Sequence, residues 1–292
     1  MQRKISPRTD LACERLRAPL DAAGVYYKEQ SIGGVKLSFL RVESEEGASC
    51  IGQPRGNYLT LHFDAADTLS KTEREALSSL LAERLSRFAE NLKKPLRRVL
   101  IVGLGNRRIT ADAVGPETVG RIRATRHLSH ADPALFKRLD CTELSVFAPG
   151  AMSETGVESA SLIAAAVAAT DAELVVAIDA LAARSPARMA TTIQLCDTGI
   201  RPGAGVGNHR SAIEKESVGV PVIAIGTPTV VDTETLILDA LEEAGAELTE
   251  DLERVLPARR GSYVSYADAD ALTDALAEIL SDACNRAFGI LL

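Results

Sequence analysis

The sequence predicts an α/β fold: a three-layer sandwich around a mixed, mostly parallel central sheet, with a β-hairpin region ahead of it. Three observations carry that prediction. Val99-Leu-Ile-Val102, Leu174-Val-Val-Ala-Ile178 and Val220-Pro-Val-Ile-Ala-Ile225 are continuous apolar runs, as in strands covered on both faces. Helical patterns around residues 115–128, 156–169 and 232–244 lie between or after them, in a strand-and-helix alternation. Thr191-Thr-Ile-Gln-Leu195 alternates instead, as an antiparallel or edge strand does.

Taken in order, the chain to about Asp64 reads as extended. Val35-Lys-Leu-Ser-Phe-Leu-Arg-Val42 alternates in part. Tyr58-Leu-Thr-Leu-His-Phe63 also alternates, after the turn residues Gly52, Pro54 and Gly56, so a hairpin is expected there. Ser70-Lys-Thr-Glu73 is a capping box. Behind it Leu77, Leu81, Leu85, Phe88 and Leu92 recur on one helical face. From Arg97 the strand–loop–helix pattern takes over, with Asp232 placed to N-cap the helix over 232–244. An amphipathic helix carrying Leu272, Leu276, Ile279 and Leu280 closes the chain. There is no internal repeat and no low-complexity linker.

The bulk numbers narrow the function classes. The 292 residues, at 31.0 kDa, suffice for one sizeable core. A net charge of −7 and a pI near 5.3 argue against a nucleic-acid surface. Nothing approaches the roughly 20 apolar residues of a membrane helix, and charged residues interrupt the N-terminus, so a cytoplasmic protein is expected. The five cysteines are scattered, with no Cys-x-x-Cys pair, which fits reduced and mostly buried thiols.

Two aspartates stand out because each follows an apolar run: Asp112 after Val102-Gly-Leu-Gly-Asn106, and Asp179 inside Ala177-Ile-Asp-Ala-Leu-Ala-Ala-Arg184. A carboxylate at the mouth of a buried strand is costly unless paired, hydrogen-bonded or at work. Asp112 has a competing reading as the cap of a helix beginning near Val114. Gly103-Leu-Gly105 invites a dinucleotide site, but Arg108 stands where the fingerprint needs a third glycine. The glycines still place Asn106 at the carboxyl edge of the sheet, where open α/β sheets bind ligands. Residues 197–210 form a glycine-rich loop. Its Asp197-Thr-Gly199 matches the signature of pepsin-like proteases, on the wrong fold and without a second copy. His209 in that loop is a candidate metal ligand together with Asp112 and Asp179.

Eight motifs in one order resemble the spore germination protease family. They are Gly103-Leu-Gly-Asn106, Asp112-Ala-Val-Gly-Pro116, Thr125-Arg-His-Leu128, Ala177-Ile-Asp-Ala-Leu-Ala-Ala-Arg184, Thr192-Ile-Gln194, Asp197-Thr-Gly-Ile200, Pro202-Gly-Ala-Gly-Val-Gly-Asn208 and Pro221-Val-Ile-Ala-Ile-Gly226. The resemblance implies an atypical aspartic endopeptidase that degrades small acid-soluble spore proteins, with Asp112 and Asp179 as its catalytic pair and no cofactor. It implies a fold similar to hydrogenase-maturation endopeptidases, which use a metal, and a homotetramer in the spore core. It also implies a zymogen in which residues 1–10 are a propeptide, cut between Asp10 and Leu11, leaving residues 11–292 as a single catalytic domain. The family's preferred cut, after an acidic residue and before an apolar one and then Ala, fits Asp10-Leu11-Ala12. Two departures are the direct run of Leu256-Pro-Ala-Arg-Arg-Gly261 toward the last helix, where longer members carry an insertion, and His209, where a lysine is expected.

The chemistry follows from charge. Two carboxylates about 4 Å apart repel by roughly 4 kcal/mol at an effective dielectric near 20, equivalent to about three pKa units. One then stays protonated where the other is ionised, which supplies a general acid and a general base. An acidic residue before the cut calls for a cation, for which Arg184 and Arg210 are the first candidates, with Asn106 as a further substrate contact.

Overall fold

A computed structural model describes residues 7–16, 24–92, 95–203, 211–256 and 261–289. Among these residues nine strands form one sheet: β1 (Val25–Ile32), β2 (Val35–Val42), β3 (Gly56–His62), β4 (Arg98–Gly103), β5 (Glu143–Phe147), β6 (Leu174–Ala183), β7 (Thr192–Cys196), β8 (Val222–Asp232) and β9 (Tyr263–Val264). Their order is β1-β2-β3-β7-β8-β6-β4-β5, with β9 beside β8. The strands β5, β4, β6 and β8 are parallel neighbours, as their apolar runs predict. The strands β1, β2, β3 and β7 join antiparallel, and β7 meets β8 antiparallel at the seam.

Helices α1 (Glu45–Ile51), α2 (Lys71–Leu92), α3 (Val114–Val119), α4 (Arg126–Ala131), α5 (Pro133–Leu139), α6 (Met152–Thr155), α7 (Ser159–Thr170), α8 (Lys215–Val218), α9 (Thr233–Glu243), α10 (Glu250–Val255) and α11 (Ala269–Ala287) surround the sheet. The two-residue period of the strands sorts their side chains between the faces. Val99, Ile101, Val176, Ile178, Ile193 and Ile225 share a core with Leu77, Leu81 and Leu85 of α2 and Leu276, Ile279 and Leu280 of α11. On the opposite face Leu100, Val102, Val175 and Ala177 meet Ile163 and Val167 of α7 and Val218 of α8. These are the three layers that the sequence predicts.

Local signals read from the sequence account for several boundaries. The Ser70 amide donates to Glu73, and the Glu73 amide to the Ser70 hydroxyl, closing the capping box of α2. Asp232 accepts from the Thr235 amide at 3.1 Å and caps α9. Other details differ from expectation. The tight hairpin is β1–β2, and β3 pairs with β2 only after α1 intervenes. The helical pattern over 115–128 breaks into α3 and α4, and β6 runs on to Ala183. The alternating segment near Thr191 becomes β7, an interior strand buried along its whole length because β3 and β8 flank it. Cys196 and Cys284 are buried thiols, Cys13 and Cys141 are half-buried, and Cys50 is exposed.

Candidate active site

Asp179 lies on β6 just past the end of β4, where an otherwise apolar strand presents a carboxylate that is 5% exposed. Its Oδ1 accepts from the Ala180 amide at 3.0 Å. Register sets its neighbours. Asp179 pairs with Gly226 of β8, Gly226 pairs with Gln194 of β7, and Gln194 pairs with Thr60 of β3. Paired residues point to the same face, so this is a row across the seam of the sheet. A Cβ on Gly226 would lie 2.5 Å from the Leu181 side chain, so only glycine fits there without displacing Leu181.

Asp112 ends the 3₁₀ turn Thr110–Asp112 and does not cap α3, whose N-cap is Ala113. Its Oδ2 accepts from the Asn106 amide at 2.7 Å, closing the loop that leaves β4. That loop needs Gly105, with φ +111°, because a Cβ there would lie 2.0 Å from the Asp112 carbonyl oxygen. The Leu104 amide donates to the Ile178 carbonyl, so the loop departs alongside Asp179. Asp112 therefore stands in the loop leaving the carboxyl end of β4, and Asp179 on β6 just beyond that end, although Asp112 is not among the residues lining the cavity beside Asp179. The Asn106 side chain is turned back into its own loop, its Oδ1 accepting from the Arg108 amide at 2.8 Å.

The cavity beside Asp179 measures about 220 Å³ and is lined in part by Asp10, Gln53, Tyr58, Gln194 and Arg201. The N-terminal segment borders it through Asp10 and Arg15, and Leu11 and Ala12 between them are wholly buried. Leu11 packs with Leu181, Ala183, Met189 and Val231. Burying one leucine side chain is worth about 1.5–3 kcal/mol. The Asp10 amide donates to the Ala182 carbonyl, and the Ala182 amide to Asp10 Oδ2, each at 2.9 Å. The Asp10 carbonyl accepts from Gln53 Nε2 and Gln194 Nε2, both at 3.3 Å, while Gln194 Oε1 accepts from the Ala12 amide at 2.7 Å. Further along, the Glu14 carboxylate accepts from the Arg184 amide at 2.7 Å, the Ser185 amide at 3.1 Å and the Thr9 hydroxyl. The segment is thus laid across the sheet from β6 to β7, with the Asp10–Leu11 bond over the seam.

Of the two candidate arginines only Arg184 lies among the described residues. Arg184 spends its guanidinium on α9, with Nε 2.5 Å from Asp239 and a second contact to Glu242. Burial alone would lower its pKa, but the hydrogen bonds and charge of these two acids outweigh it and raise the value. The Asp10 carboxylate accepts from the Ala182 amide. Arg210 and His209 lie outside the described residues. Among the described residues no group of three or more His, Cys, Asp or Glu is arranged to hold a metal ion. The Asp197-Thr-Gly199 motif is a clamp: the Asp197 carboxylate accepts from the Asn57 amide and side chain at 2.8 and 2.6 Å, joining the end of β7 to the start of β3. Sequence reasoning missed Gln53 and the anchoring acid Glu14, which have no local signature. Gln194 was visible within Thr192-Ile-Gln194, without a role.

No helix among the described residues is long and apolar enough to cross a membrane. Among solved structures, a [NiFe] hydrogenase maturation protease, HycI from Thermococcus kodakarensis KOD1, aligns at 20% identity with a TM-score of 0.33, covering 66% of this chain and 97% of that one. The germination protease from Caldanaerobacter subterraneus subsp. tengcongensis is 41% identical over 249 residues, which is 85% of this chain and 76% of the relative. The germination protease of Bacillus subtilis is 41% identical over 80% of this chain and 66% of its own length. That of Priestia megaterium is 39% identical over 81% of this chain, again 66% of the relative. The sequence pattern that defines germination proteases matches residues 10–275, a span that holds Asp10, Asp112, Asp179 and Gln194. The chain belongs to the germination protease family, and with it to the proteases that act in spore germination.

Proposed function

We propose that this chain is an endopeptidase of small acid-soluble spore proteins, that it cuts after an acidic residue and before an apolar one, and that it is made as a zymogen whose residues 1–10 are removed by its own cut after Asp10. Asp112 and Asp179 are the catalytic pair. The ionised member takes a proton from water as the water attacks the carbonyl carbon, and the protonated member donates to the leaving amine. The observation that carries the reading is that Asp10, the residue before the bond, lines the same cavity as Asp179. Leu11 fills an apolar pocket and the acidic side chain before the bond accepts from the Ala182 amide. Arg15 and Arg201, which line the same cavity, and Arg210 are the cations placed in sequence or space to favour that acid. The Glu14 carboxylate, held by two amides, extends the recognised stretch beyond the cut. The acting form is a homotetramer in the cytoplasm of the spore core.

The test is to incubate the purified full chain with a small acid-soluble spore protein, with and without chelator, and to map the cuts by mass spectrometry. Cuts between an acidic and an apolar residue, unaffected by chelator, are the expected result. Cuts lost on chelation would replace the two-carboxylate reading with a metal centre involving His209. An intact substrate would leave a binding module in place of an enzyme.

A further inference from the structure

We propose that Gln194, assisted by Gln53, is a catalytic residue that stabilises the oxyanion formed at the carbonyl of Asp10. The inference rests on the proteolytic reading of this site. Two side-chain amides converge on one carbonyl oxygen, that of the bond to be cut, each at 3.3 Å. Those distances exceed the usual 2.9–3.0 Å or so of an N–H···O bond, as expected of donors that tighten when negative charge develops on the oxygen.

Gln194 does something that a simple contact would not. Its carboxamide donates to the carbonyl before the bond and accepts from the Ala12 amide after it, so one side chain clamps the chain on both sides of the scissile bond. The carboxamide is uncharged, 7% exposed and fixed on an interior strand, so it is preorganised. Across Gly226 it faces Asp179, two strands away and therefore roughly 9.6 Å distant between Cα atoms. The bond crosses between the two, with the donors and Asp179 on opposite sides of the seam.

The step balances. Water attacks the Asp10 carbonyl carbon and its proton passes to the ionised carboxylate. The C=O π pair moves to oxygen, where the Nε2–H groups of Gln194 and Gln53 hold the charge. Collapse re-forms the carbonyl and breaks the C–N bond, and the Leu11 nitrogen takes the proton of the other carboxyl.

The experiment follows self-cleavage of the full chain after Asp10 by mass spectrometry over about pH 4 to 8, in wild type, Asp179→Asn, Gln194→Met, Gln194→Glu and Gln53→Met. Circular dichroism checks each fold. Gln194→Met is expected to slow the first-order rate by about 10²–10³-fold, and Gln53→Met by less. Gln194→Glu separates catalysis from seating. Ionised, it cannot donate to the oxygen and the rate is lost; protonated, it can, so the rate recovers as pH falls, an acid limb absent from wild type. Folded Gln194→Met and Gln53→Met chains that cut at the wild-type rate, or Gln194→Glu with no acid limb, would overturn the inference while Asp179→Asn remains inactive and the proteolytic reading stands. A wild-type chain that never cuts overturns the reading and the inference with it.

Discussion

The two halves of the sheet are built by different rules, and the site lies on the line between them. The inner strands of the parallel half are buried nearly throughout: β4 and β6 are apolar on both faces but for Asp179, covered by α2, α3 and α11 on one side and by α7 on the other. The antiparallel half thins outward, from β7 with every residue buried, through β2 with alternate residues buried, to β1, which is mostly exposed. In the parallel half a polar residue is an exception that must be satisfied in place, as Asp179 is by the Ala180 amide. In the antiparallel half polar side chains are part of the alternation, which is how Gln194 and Thr60 come to share a row with Asp179. The parallel half supplies Asp179 and the backbone and apolar contacts of Asp10 and Leu11, and the antiparallel half supplies Gln194.

That division can be broken experimentally. The largest expected effect is on the parallel half: Asp179→Asn or Asp112→Asn should slow cleavage after Asp10 by about 10²–10⁴-fold with an unchanged circular dichroism spectrum. Normal rates in both variants would remove the carboxylate pair from the chemistry. Next is the seam itself. Gly226→Ala puts a methyl into the Leu181 side chain, which packs with Leu11, and should lower the unfolding free energy by about 1–3 kcal/mol in denaturant titrations. An unchanged midpoint would mean that the seam has slack.

The seating of the N-terminal segment should respond more mildly. Glu14→Gln keeps the shape but leaves one acceptor oxygen for two amides, so either the Arg184 or the Ser185 bond is lost together with the charge, costing about 1–3 kcal/mol of seating. Faster hydrogen exchange at Leu11 and Ala12 is the readout, and unchanged protection would show that the apolar pocket alone holds the segment. The smallest effect sits on β3. Burial first, then the nearby Arg188, holds the pKa of His62 below its ordinary 6.5. The unfolded chain therefore takes up that proton first as pH falls. His62 stabilises the fold fully above about pH 6.5 and loses that contribution as pH drops toward its depressed value. Gln at this position should flatten that part of the stability–pH curve, and an unaltered slope would show that other groups dominate there.

How much of this was legible in the sequence varied by element. The apolar runs of β4, β6 and β8, the capping box of α2 and the Asp232 cap were readable because each is set by neighbours within a few residues. Asp112 and Asp179 were readable as anomalies in apolar surroundings, and their ordered motifs raised them together. The two N-terminal strands foreseen, β2 and β3, do pair antiparallel, whereas β1 has almost no burial to give it a pattern. Arg184 was a reasonable cation by proximity in sequence, but its partners Asp239 and Glu242 lie on a helix that only the folded chain brings beside it.

By itself, then, the sequence determined the layer architecture and the ordered motifs of the family, since periodicity and short motifs are local properties of the chain. Only the tertiary structure decided what meets what. The row Thr60, Gln194, Gly226 and Asp179 joins residues from four strands through register, and register is fixed by the whole sheet. The convergence of Gln53 and Gln194 on the Asp10 carbonyl is of the same kind: a contact across 43 and 184 residues of chain, which no local pattern encodes.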